Sequence, residues 1–408
     1  MKRRKLLRTA VIVSLAAVAL SGCGATGQGG GMDSGSNGET LTIWSYQTPT
    51  FDPIWEEYEA MFSKSHPGVK FEYLTVDYNQ LRNKVLTGAV SKDGPDVLVF
   101  DPADTPVLAK AGLIKDIDAE WQDFEDKGEF PEAVQWKHDG QIYAVQGYVN
   151  TTALYYNKDI LSAAGVTPPT TIEEFDAALG KVHASGSGGF ALCGAPSTEC
   201  ETQALSWILG QGGNYDNLDA PGVKKVFDTF SGWSNKGYVP KDAVTWTQAD
   251  AWDSFSTGKY AFAQAGNWNL GSAEALPFNW GVVALPGARV APGGEGEAVG
   301  SFSKNSALAF DYLKETFWTE HGQLIDFKER GTIPARADAA ASPEITENSN
   351  IAAWTSEIKD AGTRPAAKGG DITKATTVLG TVWSSVLSGQ LDSEGAISQL
   401  KQATEGLF

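Results

Sequence analysis

The chain has 408 residues, with 32 basic and 50 acidic side chains and a formal charge of −18. That sign opposes nucleic acid and anionic lipid as partners, and it names no ligand, since a charge excess is ordinarily a solvated surface. The length exceeds what one core supports, so at least two lobes are expected.

The first segment carries Lys2, Arg3, Arg4, Lys5 and Arg8, then an apolar run from Ala10 to Leu20. A basic head, a short apolar run and small residues make a secretory signal, and the run is too short to span a bilayer. Leu20-Ser21-Gly22-Cys23 resembles a bacterial lipobox. The resemblance implies a signal peptide over residues 1–22, lipidation of Cys23 and a mature protein anchored at the outer face of the cell membrane. An ordinary secreted protein is the alternative. Removing residues 1–22 leaves 27 basic against 50 acidic side chains. Residues 24–39, GATGQGGGMDSGSNGE, are Gly- and Ser-rich and read with Cys23 as a lipid-anchored flexible linker.

Folded structure is expected from about Leu41. Leu41-Thr42-Ile43-Trp44 alternates as a strand, and Phe51 to Ser65 shows helical spacing until Pro67-Gly68 stops it. Val69 to Val76 reads as a strand, Tyr78 to Val90 as a helix, Asp96 to Phe100 as a buried strand and Pro106 to Ala111 as a helix closed by Gly112. This alternation predicts a largely parallel sheet whose ligands gather at the carboxyl ends of strands. Trp44 to Gln47, Asp77-Tyr78 and Asp101 to Asp104 lie at such ends. Gln141 to Val149 then reads as a strand, with Asn150 to Asp159 continuing extended. Helices are expected over Ile172–Val182, Thr202–Leu209, Val223–Ser231, Asp250–Phe255, Phe310–Phe317 and Gln323–Lys328. Tyr260–Gln264 and Trp280–Ala284 read as strands. Residues 351–407 read as mostly helical with a break at Gly369-Gly370.

Enzyme signatures are missing from the sequence. There is no G-x-S-x-G, Ser187 among glycines reads as loop, and Gly293-Gly294-Glu295-Gly296 lacks the lysine of a phosphate loop. The histidines His66, His138, His183 and His321 show no ligand spacing, so no metal and no cofactor are expected. Outside the cytoplasm Cys193 and Cys200 read as a disulfide closing a short loop, with two buried thiols as the alternative. The 13 Trp carry more information. Trp44, Trp246 and Trp268 have polar neighbours rather than apolar stripes, although Trp44 ends a strand and packing below a cleft also suits it. Flat aromatic faces match the C–H faces of sugar rings, while carboxylates, amides and Arg match hydroxyls.

At this point the layout resembles the extracellular solute-binding proteins of ABC sugar importers, the group that includes maltose-binding protein. LTIWSYQ at 41–47 resembles the first strand and ligand loop, and Gly94-Pro-Asp-Val-Leu-Val-Phe100 the third strand. Ala111-Gly-Leu-Ile-Lys-Asp-Ile117 resembles the segment after it. Gln141-Ile-Tyr-Ala-Val145 with Ala153-Leu-Tyr-Tyr-Asn-Lys-Asp159 resembles the first crossing between lobes. Trp280-Gly-Val-Val-Ala-Leu-Pro286 and Gly331-Thr-Ile-Pro-Ala-Arg336 resemble the second and third. The resemblance implies an α/β, two-lobed periplasmic-binding-protein fold of type II, with a hinge of crossing strands and an interlobe ligand cleft. Lobe one would be 40–148 and 284–330, and lobe two 151–282 and 334–408. No catalysis is implied. The expected partners are a mono- or oligosaccharide and the transmembrane subunits of an ABC permease, and a monomer is expected.

By motif position the resemblance places Gln47 and Thr48 after strand one, Asp101 and Asp104 after strand three, Asn150 at the crossing and Trp268 as the stacking residue. Asp77, Tyr78, Tyr148, Trp246 and Glu295 follow from strand-end or loop placement. Arg336 either binds ligand or ties the hinge. The loop Glu199–Gln203 falls beside the cysteine pair, near the expected cleft. Two departures stand out: the chain is short between Glu297 and Leu313, and Asn150 replaces the usual carboxylate. Two other readings compete. A glycan-degrading enzyme needs two carboxylates facing one cleft and measurable hydrolysis. A same-shaped receptor for a polyamine needs acids and aromatics, and one for a glycerophosphodiester needs Arg or Lys at the cleft.

Overall fold

Alternating side chains build two sheets. β1 (Thr40–Ser45), β2 (Lys70–Thr75), β3 (Val97–Phe100), β4 (Gln135–His138) and β5 (Gln141–Asn150) belong to the first. After Thr151 the chain enters the second sheet as β6 (Thr152–Asn157), β7 (Gly188–Ala191), β8 (Tyr260–Gly266) and β9 (Trp280–Val283). It returns to the first sheet through β10 (Gly293–Val299), and β11 (Ile333–Pro334) pairs with β5 there before the chain passes back. This is a computed structural model, and it describes residues 39–47, 53–359, 361, 362, 365, 367 and 371–408. The expected signal, Cys23, the linker up to residue 38, Thr48 and the break at Gly369-Gly370 lie outside the described residues.

The first sheet runs β11-β5-β10-β3-β1-β2, with β4 also on β5. Only β1–β2 and β1–β3 pair in parallel, so the expected largely parallel sheet is in fact mixed. The physical reason is the hinge. β5 leaves the first sheet, β10 comes back beside it, and a chain that leaves and returns through one gap runs antiparallel there. Three strands were hidden in the sequence. β10 and β7 are glycine-rich, and β4 has polar flanks, so each reads poorly as a strand. The segment read as extended to Asp159 turns helical at Lys158, where the Asn157 side chain accepts from Asp159 N and Ile160 N.

Period-two patterning splits each sheet between two cores. Ile43, Val97, Val99, Val145 and Val299 face one layer of helices, while Trp44, Leu98, Phe100, Ala144 and Ala298 face another. In the second sheet Leu154 and Phe190 point to the larger core, and Tyr155, Ala191 and Ala263 to the opposite face. Helices Thr373–Leu387 and Ser393–Thr404 close the larger core, so the chain's last segment belongs to the second sheet. Cys193 and Cys200, both fully buried there, are joined by a disulfide. The bond spans the loop before helix Thr198–Gly210, whose N-terminus is capped by Ser197 accepting from Cys200 N at 3.3 Å.

The first and third crossings meet at Asn267, which is fully buried. Its Oδ1 accepts from Thr151 N at 2.8 Å, and its Nδ2 donates to Asn150 Oδ1 and to Gly331 O, each at 2.8 Å. Gly331 ends helix Glu320–Arg330 at φ 74°, and a Cβ there would strike the Asn267 carbonyl, so glycine is required twice over. Asn267→Ala strips partners from Thr151 N–H, Asn150 and the Gly331 carbonyl. It is expected to destabilise the fold by about 3 kcal/mol, since each orphaned buried group costs about 1–3 kcal/mol. Urea unfolding checks this, and an unchanged midpoint would remove Asn267 as the hinge tie.

Candidate ligand-binding cleft

Between the sheets lies a cleft of about 770 Å³. The first lobe supplies Tyr46 and Gln47 after β1, Asp77 and Tyr78 at the start of helix Tyr78–Ser91, Asp101 after β3, Trp136 on β4 and Tyr148 on β5. The second supplies Glu199, Thr202 and Ser206 from helix Thr198–Gly210, Thr247 and Gln248 at another helix start, and Trp268 after β8. Asn150 and Thr151 at the first crossing form part of its floor, with Glu295 from β10 and Arg330 near the third. The carboxyl ends of β1, β3, β5 and β8 converge there with the amino ends of β6 and β10.

Each polar side chain is held. Tyr78 donates to Asp101 Oδ2 at 2.6 Å, and Ala103 N donates to Asp101 Oδ1 at 3.0 Å. Asp77 caps its helix by accepting from Asn79 N at 3.0 Å. Gln47 Nε2 donates to the Tyr148 hydroxyl at 2.5 Å, while Gln47 Oε1 has no partner among the described residues. Glu199 accepts from Gln248 N at 2.7 Å. Trp136 Nε1 donates to Gln146 Oε1 at 2.8 Å, which fixes its ring. The indole of Trp268 lies across Gly266, where any Cβ would overlap its six-membered ring. That glycine lets the ring lie flat beside the hinge.

Glu295 sits at the centre. It is 5% exposed, its Oε1 accepts from the Tyr46 hydroxyl, and Asn150 Nδ2 donates to Oε2 at 3.4 Å. Burial pushes its carboxyl up to about 7, against the pull of the Tyr148 and Tyr46 hydroxyls and Arg330. Behind it, fully buried Glu297 accepts from Gly147 N at 2.7 Å, and burial drives its carboxyl well above the usual range. Arg330 Nε donates to the buried Asp326 Oδ1 at 2.7 Å and its guanidinium also binds Oδ2, while it lies 4.9 Å from the centre of the Tyr148 ring. Glu199 is likewise raised, by burial foremost.

Three residues named from the sequence fall elsewhere. Asp104 leaves the cleft to pair with Arg82 Nε at 3.1 Å beside a separate void of about 10 Å³. Burial and then Asp101 raise its carboxyl, with Arg82 opposing. Trp246 packs against both cores of the second lobe, edge-on to Tyr260 at 5.9 Å. The helix starting at Gln248 turns Thr247 and Gln248, not Trp246, to the cleft. Arg336 is 4% exposed and ties Asp126, Asp338 and the Trp318 carbonyl, which is the structural alternative. Trp44 packs beneath the cleft, 7% exposed. Gln47, Asp77, Tyr78, Asp101, Tyr148, Asn150, Trp268 and Glu295 all line the cleft. Sequence reasoning missed Trp136, Gln248 and Arg330, while Tyr46 and Thr202 fell inside the stretches Trp44–Gln47 and Glu199–Gln203 without being singled out. Trp136 carried the same signal as Trp268, an indole among polar neighbours. Arg330 carried none, since helix-end arginines are common.

The bacterial extracellular solute-binding protein family model matches residues 57–353. The chain belongs to that family. It is 26% identical over 376 residues to the diacetylchitobiose binding protein DasA of Streptomyces coelicolor, covering 81% of this chain and 82% of that one. It is 26% identical over 372 residues to the arabinooligosaccharide-binding protein of Bacillus subtilis, covering 83% and 82%. Its fold matches the GacH receptor of Streptomyces glaucescens, solved unliganded and with acarbose. The TM-score is 0.82 at 21% identity, covering 91% of this chain and 100% of that one. The fold is thus the two-lobed α/β periplasmic-binding fold, and these relatives are binding proteins rather than enzymes, so the paired-carboxylate hydrolase reading falls. Among the described residues no cluster of His, Cys, Asp and Glu suits a metal ion, and no helix is long and apolar enough to cross a membrane.

Glu295 gives a signed pH prediction. Its folded value near 7 lies above the ordinary 4.5, so the folded state holds the extra proton between those values. Its contribution to stability therefore falls as pH rises through that window. Thermal unfolding of Glu295→Gln and the parent at about pH 5 and about pH 8 is expected to show the variant gaining on the parent at the higher pH. A pH-independent difference would mean that Glu295 titrates as an ordinary surface acid.

Proposed function

We propose that this protein captures a sugar or oligosaccharide between its two lobes and delivers it to an ABC permease without altering it. One observation carries the reading: a single cleft, fed by both lobes, sets the indoles of Trp268 and Trp136 among carboxylates, amides and hydroxyls. That combination suits a ring with apolar faces and a polar rim. The relatives named for oligosaccharides support it.

In this reading Gln47, Thr48, Asp77, Tyr78, Asp101, Tyr148, Asn150, Trp268 and Glu295 are the ligand contacts. The lobes comprise about 40–148 with 284–330, and 151–282 with 334–408. The mature protein is a monomer held at the outer face of the membrane by lipid on Cys23, as the segment before residue 24 suggests. Closure follows from contacts that exist only when both lobes touch the ligand, because a guest bound equally by open and closed forms shifts nothing. The lobes already meet at the rim: Thr198 Oγ1 donates to Asn79 Oδ1 at 3.1 Å, and Arg82 Nη2 lies 3.3 Å from Asp371 Oδ1.

A thermal-shift screen of mono- and oligosaccharides is expected to find a ligand that raises the melting temperature. Trp268→Ala should weaken the best hit by about 1–3 kcal/mol, the range for losing a central aromatic anchor. Calorimetry reads this directly, and unchanged affinity would remove Trp268 from the site. X-ray scattering should show the protein contract on saturation. Unchanged dimensions, or recovery of a cleaved sugar, would overturn the proposal.

A further inference from the structure

The cleft is rich in acceptors and poor in cations. Asp77, Asp101, Glu199, Glu295 and Glu329 line it, and Arg330 is the one basic side chain among the described lining residues. Arg330 already faces the buried Asp326 through a two-point contact, so its charge answers a carboxylate outside the cleft. Arg82, on the helix that Asp77 caps, lies between Asp104 at 3.1 Å and Asp371 at 3.3 Å. Four of the five lining carboxylates are oriented by neutral donors: a tyrosine hydroxyl and a backbone N–H for Asp101, a backbone N–H each for Asp77 and Glu199, and Tyr46 with Asn150 for Glu295; Glu329 instead lies 3.5 Å from Lys328 Nζ. Gln47 Oε1 adds a buried acceptor without a partner.

Closing the lobes on a guest would strip water from these acids. Removing water from unpaired carboxylates is costly unless the guest supplies donors or positive charge. A sugar hydroxyl brings one donor and two acceptor lone pairs, so it adds acceptors to a site already crowded with them. A protonated amine brings three donors, no acceptor and a charge. A uronate or phosphate would meet like charge with no unengaged guanidinium to receive it.

We propose that the cleft is built for an amino sugar, a glycan in which at least one ring hydroxyl is replaced by a free, protonated amine seated against the Glu295 end of the floor. The inference rests on the glycan reading above and narrows it. Indoles hold the ring faces, and the carboxylates select among rings by charge. The acid that gains most is Glu295, because it is the most buried of the five and its carboxyl is already held up toward neutrality by desolvation. A cation beside it restores the charged form and exchanges a lost hydration shell for a charge-assisted hydrogen bond.

Calorimetry of the full-length protein against matched gluco and galacto sets tests this. Each set comprises the free amine, the N-acetylated amine, the parent hydroxyl and the uronate, as monomers and 1,4-linked tetramers, at a pH where the amine is protonated. In the best-bound set the free amine is expected to bind about tenfold tighter than its hydroxyl and N-acetyl counterparts, the scale of one partly screened ion pair. The uronate should bind weakest, and the gap should narrow at high salt. Glu295→Gln should shrink the amine-to-hydroxyl ratio more than it changes affinity for the hydroxyl form. Should that variant fail to fold, Asp101→Asn and the salt series on the parent read the same ratio. If the hydroxyl, N-acetyl or uronate member binds as tightly as the amine, the amine assignment is overturned while the glycan reading stands. If no sugar binds and spermidine does, both fall.

Discussion

The side chain of Asn267 is the constraint on which the rest depends. A two-lobed protein whose chain passes three times between its halves needs those passes held in register while the halves still swing. A hydrophobic cluster at the hinge would fix distance but not direction. One buried amide does both, because its donor and acceptor ends are chemically distinct and address the first crossing and the Gly331 turn separately. Asn150 extends the chain of bonds to Glu295, so hinge and cleft floor are one polar network. Trp268 is the next residue after Asn267, and the stacking ring is thereby anchored to the hinge itself.

That coupling explains how a small guest can move large lobes. The floor carries buried acids whose charged forms are disfavoured by lost water, and in the proposed reading the guest supplies their partners. Glu295 and Glu297 stand two residues apart on β10, across the register shift between Glu295 and Gly296, one reaching the cleft and the other buried behind it, while Asp326 holds Arg330 against Tyr148. On that proposal the cleft exchanges hydration for ligand donors when it closes, and selectivity follows from which donors the guest brings. The disulfide and Ser197 cap do the matching work on the facing side, setting the start of the helix that presents Glu199 and Thr202.

Particular residues show where sequence reading succeeds and fails. Asp77, Asp101, Gln47 and Trp268 were legible because strand ends and loops in α/β folds face the ligand, and a position along the chain is enough to find them. Asp104 and Trp246 failed by a few residues. Three positions along a tight turn or one residue before a helix reverses the direction of a side chain, and neither turn type nor helix start was resolved to that precision. Trp136 was missed because its strand is short and polar-flanked. The β10 strand was missed because glycines that let it pass under Pro102 and Tyr148 also erase its strand pattern.

By itself the sequence determined the alternating β and α elements of the first lobe and the aromatic and acidic character of the candidate cleft residues, because these follow from local periodicity and from residue chemistry; the three crossings and the two-lobed fold were legible only through the resemblance to the solute-binding family. The sequence also placed a cysteine pair where a loop could be closed. Only the tertiary structure decided that Arg336 braces Asp126 and Asp338 while Arg330 reaches the cleft, that Asp101 rather than Asp104 lines it, and that Asn267 joins the first crossing to the third. Those outcomes depend on how separate segments come together, Arg336 with Asp126 across 210 residues and Asn267 with Asn150 across 117, and no local pattern in a chain encodes which carboxylate a guanidinium will meet.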